Sequence, residues 1–181
     1  GTAGGVLRSI DGCASWAPSG TGLAASVQAT SLSSSPVEPG QLFLSSSIPA
    51  GQPGVYESAD GGQSWTSTGF VGEALAVVAD QHVPNTLYIS KGGATKVQAS
   101  IDGGASFAPH NAGLATAGFI RALQPSLGPG NNLLLASATG AYQTNVAFAP
   151  PWTNLESGLV GLTGVPSLVG NGSLVTGTSG V

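Results

Sequence analysis

The chain has 181 residues and a formal net charge of −4, and only 7% of its residues are charged. That length suits a single domain with its own hydrophobic core, and 4 basic side chains are too few to bind the phosphate backbone of a nucleic acid. The 29 glycines, 12 prolines and many small polar residues are typical of short strands joined by turns, so an all-β protein is predicted.

Residue type and spacing also argue against a disulfide framework, a metal site and a membrane segment. Cys13 has no second cysteine to pair with, and neither His82 nor His110 belongs to a cluster with zinc-ligand spacing. No apolar run approaches the roughly 20 residues that span a bilayer. We therefore expect no metal, no cofactor and no membrane insertion. Low charge with abundant serine, threonine, glycine and alanine is common in bacterial secreted and cell-surface proteins, which favours a location outside the cell.

The first predicted element is a β-hairpin near the N-terminus. A strand in residues 5–8 (GVLR) precedes the turn SIDGCASW in residues 9–16, and a second strand ends in SGTGL, residues 19–23. Two further strands are predicted in residues 26–32 (SVQATSL) and 41–47 (QLFLSSS), separated by a turn rich in proline and glycine. One repeat therefore contains four strands.

This order of elements recurs along the chain. The turn sequence returns as SADGGQSW in residues 58–65 and as SIDGGASF in residues 100–107, and these three turns are called boxes 1, 2 and 3 below. Residues 144–152 (TNVAFAPPW) are a decayed copy that lacks the aspartate and the glycines. Since the aspartates of the three boxes are 49 and 42 residues apart, the period is about 45 residues.

Four short antiparallel strands in a repeat of this length are typical of one blade of a β-propeller. The predicted boundaries are 1–181 for one domain, about 24–70, 71–114 and 115–159 for three blades, and 160–181 plus 1–23 for a shared blade. Three arrangements fit the complementary ends: closure of four blades within one chain by strand exchange, an eight-bladed ring of two chains, and a segment of a longer protein. The match between the termini favours the first.

Repetition decides how the boxes are interpreted. One aspartate per box cannot supply the opposed carboxylates, about 5 to 10 Å apart, that glycoside hydrolysis needs, and an active site is needed once rather than once per repeat. In a tight turn the aspartate accepts backbone hydrogen bonds, the glycines supply positive φ, the serine adds a local bond and the last aromatic ring fills the space between blades. We expect this structural role for Ser9, Asp11, Gly12, Trp16, Ser58, Asp60, Gly61, Gly62, Trp65, Ser100, Asp102, Gly103, Gly104 and Phe107. The turn in which Cys13 replaces a glycine is predicted to be strained or of another type, with Cys13 packed or half exposed rather than reactive.

The pattern S-x-D-G-G-x-S-W resembles the Asp-box, or BNR repeat, of sialidases, xyloglucanase-type glycoside hydrolases, sortilin-type receptors and photosystem II assembly factors. The resemblance covers nearly the whole chain and implies a β-propeller. In the enzymes of these families the active site lies on the face opposite the boxes, where the possible ligand residues of this chain are Glu73, Lys91, His110 and Arg121. The resemblance to sialidases implies a cluster of three arginines, whereas this chain has only Arg8 and Arg121, so that activity is not expected.

The expected function follows from this shortage of reactive groups. We assign no catalytic residue and expect a non-catalytic extracellular module that contacts proteins, glycans or further copies of itself. One alternative is part of a glycoside hydrolase, with Glu73 as a carboxylate of the active site. Another is an assembly factor for a membrane complex, although the resemblance to photosystem II assembly factors implies an arginine-rich surface that this chain lacks.

Overall fold

A computed structural model describes residues 5–25, 27–47, 51–91, 96–115, 117–125, 131–145 and 151–155. All regular elements in these ranges are β-strands, and no helix there is long and apolar enough to cross a membrane. The strands are β1 (Leu7–Arg8), β2 (Ala17–Pro18), β3 (Ala29–Ser34), β4 (Leu42–Ser46), β5 (Val55–Ser58), β6 (Thr66–Ser67), β7 (Ala76–Ala79), β8 (Leu87–Ser90), β9 (Val97–Ser100), β10 (Ala108–Pro109), β11 (Ile120–Pro125), β12 (Asn132–Ser137), β13 (Gly140–Asn145) and β14 (Thr153–Asn154). The prediction of an all-β chain is confirmed for these residues.

The strands form sheets in which neighbours in sequence are neighbours in space. Three sheets have four strands each, β3 to β6, β7 to β10 and β11 to β14, and β1 pairs with β2 alone among the named strands. The predicted four strands per repeat are therefore observed three times. The first hairpin supplies two strands, and its predicted completion by residues 160–181 lies outside the described residues.

Pairing register is the same in two of the four-stranded sheets. Leu44 of β4 lies opposite Tyr56 of β5, and Leu135 of β12 lies opposite Tyr142 of β13, with antiparallel pairing in both cases. Both tyrosines and both leucines are buried because the second strand of each repeat is apolar on both faces. Equivalent residues of different repeats therefore occupy equivalent places.

Contact density divides the chain into two compact units, Gly1–Ile89 with Ala99–Ala108, and Ser90–Gln98 with Pro109–Val181. In the first unit two apolar clusters fill the space between sheets. One cluster consists of Phe43, Val55, Phe70, Ala74, Val77, Ala79, Leu87 and Ile89, and the other of Val27, Leu44, Tyr56 and Trp65. In the second unit Leu134, Ala136 and Ala141 form the buried cluster, with Ala122 and Leu155 packed against it. Aliphatic residues of second strands are present in all three clusters, which explains why those strands read as continuous apolar runs.

Candidate functional site

Box 2 is a closed network of hydrogen bonds around one carboxylate. The Ser58 hydroxyl donates to Asp60 Oδ1 at 2.8 Å, and the backbone N–H and hydroxyl of Ser64 donate to Oδ1 and Oδ2 at 2.9 and 2.6 Å. The N–H of Gln63 also donates to Oδ1, at 2.9 Å, and Ser58 Oγ accepts the N–H of Gly62 at 2.8 Å. Both carboxylate oxygens therefore bind groups of their own turn.

Boxes 1 and 3 repeat the hydrogen bonds that the two serines of box 2 make to its aspartate. Asp11 accepts the N–H of Ser15 at 3.0 Å and its hydroxyl at 2.5 Å. Asp102 accepts the corresponding groups of Ser106 at 2.9 and 2.5 Å. The first serine of each box donates to its aspartate at 2.8 Å in box 1 and 2.7 Å in box 3. The predicted hydrogen bonds within each turn are thus present three times.

These bonds stabilise the ionised carboxylates. The hydroxyl of Ser15 is the main cause that lowers the pKa of Asp11 from 3.8 to about 2, with a further contribution from the Ser15 N–H. The hydroxyl and N–H of Ser106 likewise lower the pKa of Asp102 from 3.8 to about 2. Hydrogen bonds from the serine at the same position hold the pKa of Asp60 well below its ordinary value. A general acid needs the opposite shift, since it must be protonated near neutral pH.

We expect the chain to lose stability as the pH falls from about 4 to about 2. The folded-state pKa values lie below the unfolded ones, so the stabilisation by the boxes is fully present above the unfolded pKa and disappears as the pH falls through the folded pKa. Urea unfolding midpoints at a series of pH values measure this. Asp102→Asn is the matched variant, because it removes one titrating box, and its midpoint should fall less steeply with pH. A wild-type midpoint unchanged down to pH 2, or parallel curves for the two proteins, would contradict this expectation.

Cys13 occupies the position of a box glycine in a backbone conformation that favours glycine. Its φ is 71°, beside 84° for Gly62 and 92° for Gly104. Of the two predicted alternatives, the turn therefore keeps the conformation of the other boxes, which is unfavourable for a residue with a side chain. The thiol, however, is exposed, whereas packing or partial exposure was expected. The difference arises because box 1 itself lies on the surface, while Gly62 and Gly104 are buried.

The last aromatic residue of a box connects it to the preceding repeat. Trp65 is 3% exposed, and its indole N–H donates to the carbonyl of Ser19 at 2.9 Å. Trp152, in the decayed copy, donates in the same way to the carbonyl of His110 at 2.9 Å and is 4% exposed. Both indoles therefore lie against the preceding repeat, which is the place predicted for the last aromatic residue of a box. Trp16 differs from this prediction, because it is 56% exposed.

Phe107 of box 3 makes the equivalent contact without an indole N–H. Its ring meets Phe70 edge to face, with centroids 5.2 Å apart and planes at 69°. It packs against the apolar cluster of the first unit that contains Phe70. Box 3 is therefore attached to its neighbour by ring packing together with backbone hydrogen bonds, among them one of 2.8 Å from the Gly69 N–H to the Gly104 carbonyl.

The four residues of the predicted ligand face have different environments. Glu73 is exposed and accepts the Ser47 hydroxyl at 2.9 Å, in the first compact unit. The other three belong to the second unit, where Arg121 is exposed on β11 and the Lys91 N–H donates to the Lys96 carbonyl. His110 is partly buried, and this burial lowers its pKa. Its backbone accepts the Trp152 indole, so its established contact is structural.

The remaining described carboxylates also accept hydrogen bonds from neighbouring groups of the scaffold. Glu38 accepts the N–H of Asn85 at 3.1 Å, and Glu57 accepts the side-chain amide of Gln41 at 3.0 Å. Asp80 is buried and accepts two backbone N–H groups of its own turn. The described residues contain no group of three His, Cys, Asp or Glu side chains that could hold a metal ion.

Two structural features were not predicted from the sequence: glycines in close contact with a neighbouring backbone, and an apolar groove. The glycine that ends each hairpin, Gly22, Gly69 or Gly113, has no room for a side chain because a backbone carbonyl of the following box lies against it. A groove beside β1 is also lined by half-exposed apolar side chains, among them Leu7 and Leu32. The repeated glycine was the available signal for the first feature. No local signal existed for the groove.

Comparison with known proteins identifies solved structures that share the fold of this chain. No protein-family model and no curated protein matches the chain. Among solved structures, an ancestral GH74 enzyme aligns at 22% identity with a TM-score of 0.66, over 89% of this chain and 24% of its own. The GH74 xyloglucanase from Xanthomonas campestris aligns at 16% identity with a TM-score of 0.65, over 89% and 28%.

A second group of similar structures is YCF48. YCF48 from Cyanidioschyzon merolae aligns at 18% identity with a TM-score of 0.59, over 84% of this chain and 50% of its own. A structure of YCF48 bound to D1 peptide aligns at 18% identity with a TM-score of 0.55, over 79% and 47%. These similar structures are β-propellers, so the sheets of this chain are propeller blades. The chain spans about a quarter to a half of the proteins it resembles.

Proposed function

We propose that this chain is a non-catalytic Asp-box module that acts outside the cell by contacting proteins, glycans or further copies of itself. The proposal rests on one observation, which is that the carboxylates are engaged in hydrogen bonds of the scaffold. All seven that are described accept a hydrogen bond from a neighbouring scaffold group. The eighth, Glu156, lies outside the described residues.

Depressed pKa values argue in the same direction. A glycosidase needs one carboxylic acid that keeps its proton near neutral pH and a second carboxylate opposite it. The box aspartates are instead held ionised by their own turns. Three equivalent turns are what a repeated scaffold needs. An active site, by contrast, would occur once and would differ from the other turns.

The GH74 structures favour one alternative, in which this chain is part of a glycoside hydrolase. Glu73 is then the carboxylate to test, because it is exposed and accepts a hydrogen bond from the Ser47 hydroxyl. The structure of YCF48 bound to D1 peptide is that of another protein, and it supports a protein partner for this fold only by analogy. An assembly role for this chain is the second alternative that we propose.

Glycan release and glycan binding separate these functions. The wild type, Glu73→Gln and Glu38→Gln are assayed for reducing-sugar release from a panel of soluble glycans, and for binding to the same glycans and to immobilised peptides. We expect no release by any of the three proteins, since every described carboxylate already accepts a hydrogen bond from the scaffold. Release by the wild type that Glu73→Gln abolishes and Glu38→Gln retains would overturn the non-catalytic proposal.

A further inference from the structure

Three exposed aliphatic side chains lie on neighbouring turns of the first compact unit. Val37 belongs to the turn between β3 and β4, Val83 to the turn between β7 and β8, and Ile101 to box 3, and they are 38%, 44% and 82% exposed. Single exposed apolar residues are ordinary on protein surfaces, whereas apolar residues grouped on adjoining turns mark a contact surface. These three residues are called the turn patch below.

Hydrogen bonds join the three turns that bear the patch. The N–H of Asn85, two residues after Val83, donates to the carboxylate of Glu38 at 3.1 Å. The N–H of Gly103, two residues after Ile101, donates to the carbonyl of Asn85 at 2.8 Å. The turns are therefore in direct contact with one another, and their exposed aliphatic residues belong to one surface.

The same turns are held in one shape by hydrogen bonds of their own. The N–H groups of His82 and Val83 donate to Oδ1 of Asp80 at 2.8 and 2.9 Å, and Asp80 is buried. In box 3, Asp102 accepts the N–H and the hydroxyl of Ser106. A surface whose turns are already ordered loses little conformational entropy when it binds a partner.

The charge around the turn patch is strongly negative. All seven described carboxylates lie in the first compact unit, and Arg8 is the only lysine or arginine of that unit, so its formal charge is −6 with histidine counted as neutral. Two of these carboxylates directly follow patch residues in the sequence, namely Glu38 and Asp102. Asp102 is exposed and Glu38 is partly exposed. A partner that covers the patch therefore meets carboxylates at its rim, which favours lysine or arginine there.

We propose that the turn patch binds a segment of another protein in which lysine or arginine side chains stand among aliphatic ones. The aliphatic side chains of the segment cover the patch, and its cations lie beside Glu38 and Asp102. The burial of apolar area supplies most of the affinity, and the charges set the orientation and the choice of partner. This proposal names the partner of the contact module proposed above and rests on that function.

The negative charge argues against two other occupants. A second copy that met the patch with its own patch would bring together two units of formal charge −6, and an anionic membrane would be repelled in the same way. Insertion into a neutral bilayer would carry the ionised carboxylates beside Val37 and Ile101 into an apolar medium, which is costly. A cationic segment of a protein meets neither obstacle.

Defined peptides test the proposal. Three synthetic peptides of equal length are compared, in which lysine alternates with leucine, lysine with serine, or glutamate with leucine. We expect the lysine–leucine peptide to bind at least about tenfold more tightly than either of the others, because it alone matches both the apolar and the charged part of the surface. Equal affinity for the lysine–serine peptide, or no binding of the lysine–leucine peptide at about 1 mM, would overturn the proposal.

Backbone amide shifts in nuclear magnetic resonance spectra locate the contact. We expect the lysine–leucine peptide to shift the amides of residues 37–38, 82–85 and 101–103, since these positions lie on the three turns. Shifts confined to other residues would contradict the proposed site.

Ile101→Ala tests the apolar part of the surface. We expect it to weaken binding of the lysine–leucine peptide at least about fivefold. Alanine is compatible with this position, because Ala59 occupies it in box 2. Val71→Ala is the matched control, because Val71 is 59% exposed and bridges to Pro53, at the end of β5 away from box 2. Equal losses of affinity in the two variants would overturn the proposal.

Glu38→Gln tests the charged part. Glutamine can still accept the N–H of Asn85, so we expect an intact fold and a loss of affinity of about threefold at low salt that becomes smaller at high salt. Glu73→Gln removes the same charge beside Ser47, past the end of β4 that is farther from Glu38, and should leave the affinity unchanged. The proposed site is wrong if both variants lose affinity equally.

Two measurements without peptide address the other occupants. Oligomers in light scattering that Ile101→Ala dissociates would assign the patch to a second copy, and binding to phosphatidylcholine vesicles that Ile101→Ala abolishes would assign it to a membrane. Either result would overturn the proposal, and we expect neither. Glycan release is also measured without peptide, so failure of peptide binding leaves the non-catalytic function to its own test.

Discussion

Replacing Trp65 with alanine is expected to lower the free energy of unfolding by about 3–5 kcal/mol. The side chain is 3% exposed and belongs to the apolar cluster with Val27, Leu44 and Tyr56. Its loss leaves a cavity, and it also removes the 2.9 Å hydrogen bond to the carbonyl of Ser19, which is buried as well. Urea unfolding followed by circular dichroism measures the change.

Trp16→Ala is the matched control, because the two tryptophans end equivalent boxes. Trp16 is 56% exposed, so its truncation should cost less than about 1 kcal/mol. Equal losses for the two variants would show that the local box sequence, rather than the preceding repeat, determines the contribution of the ring.

Gly22→Ala is expected to cost about 3 kcal/mol or more, or to prevent folding at 37 °C. Gly22 has a φ of 89°, which is unfavourable for alanine, and a Cβ there would overlap the carbonyl oxygen of Trp65. Two backbone segments meet at this point, since the Trp65 N–H donates to the Thr21 carbonyl at 2.8 Å. Neither backbone can move without loss of that bond. The thermal unfolding midpoint measures the effect.

Gly20→Ala is the control two residues away. Its φ lies outside the positive range, and the nearest atom to an added Cβ is Leu23 Cδ1 at an ordinary 3.9 Å. Replacing this glycine should change stability by less than about 1 kcal/mol, and the smaller entropy of the unfolded chain can even favour the variant. A Gly22→Ala protein as stable as Gly20→Ala would show that the contact with Trp65 is not close in solution.

The boxes could be predicted from the sequence because their bonds are local. Every hydrogen bond that defines box 2 joins residues between Ser58 and Ser64, so the pattern of residues contains both partners of each bond. The same holds for the order of strands in a repeat, since each strand pairs with the next one along the chain. Repetition then distinguished a scaffold turn from a single active site.

The place of a residue between repeats was harder to predict. Trp65 and Trp16 are the same residue in the same motif, yet one is buried and the other exposed. The partner of Trp65 is Ser19, 46 residues earlier, and no local pattern specifies which segment lies there. His110 was a ligand candidate for the same reason, because the indole of Trp152 that its carbonyl accepts is 42 residues further on.

The strand order, the period and the hydrogen-bonded box could be predicted from the residues alone, because each depends on residues a few positions apart and recurs often enough to be recognised. Three properties became visible only in the folded chain: which box is buried, which glycine must lack a side chain, and where an apolar groove remains beside β1. Those properties depend on the approach of neighbouring repeats, which places backbone atoms more than 40 residues apart in contact.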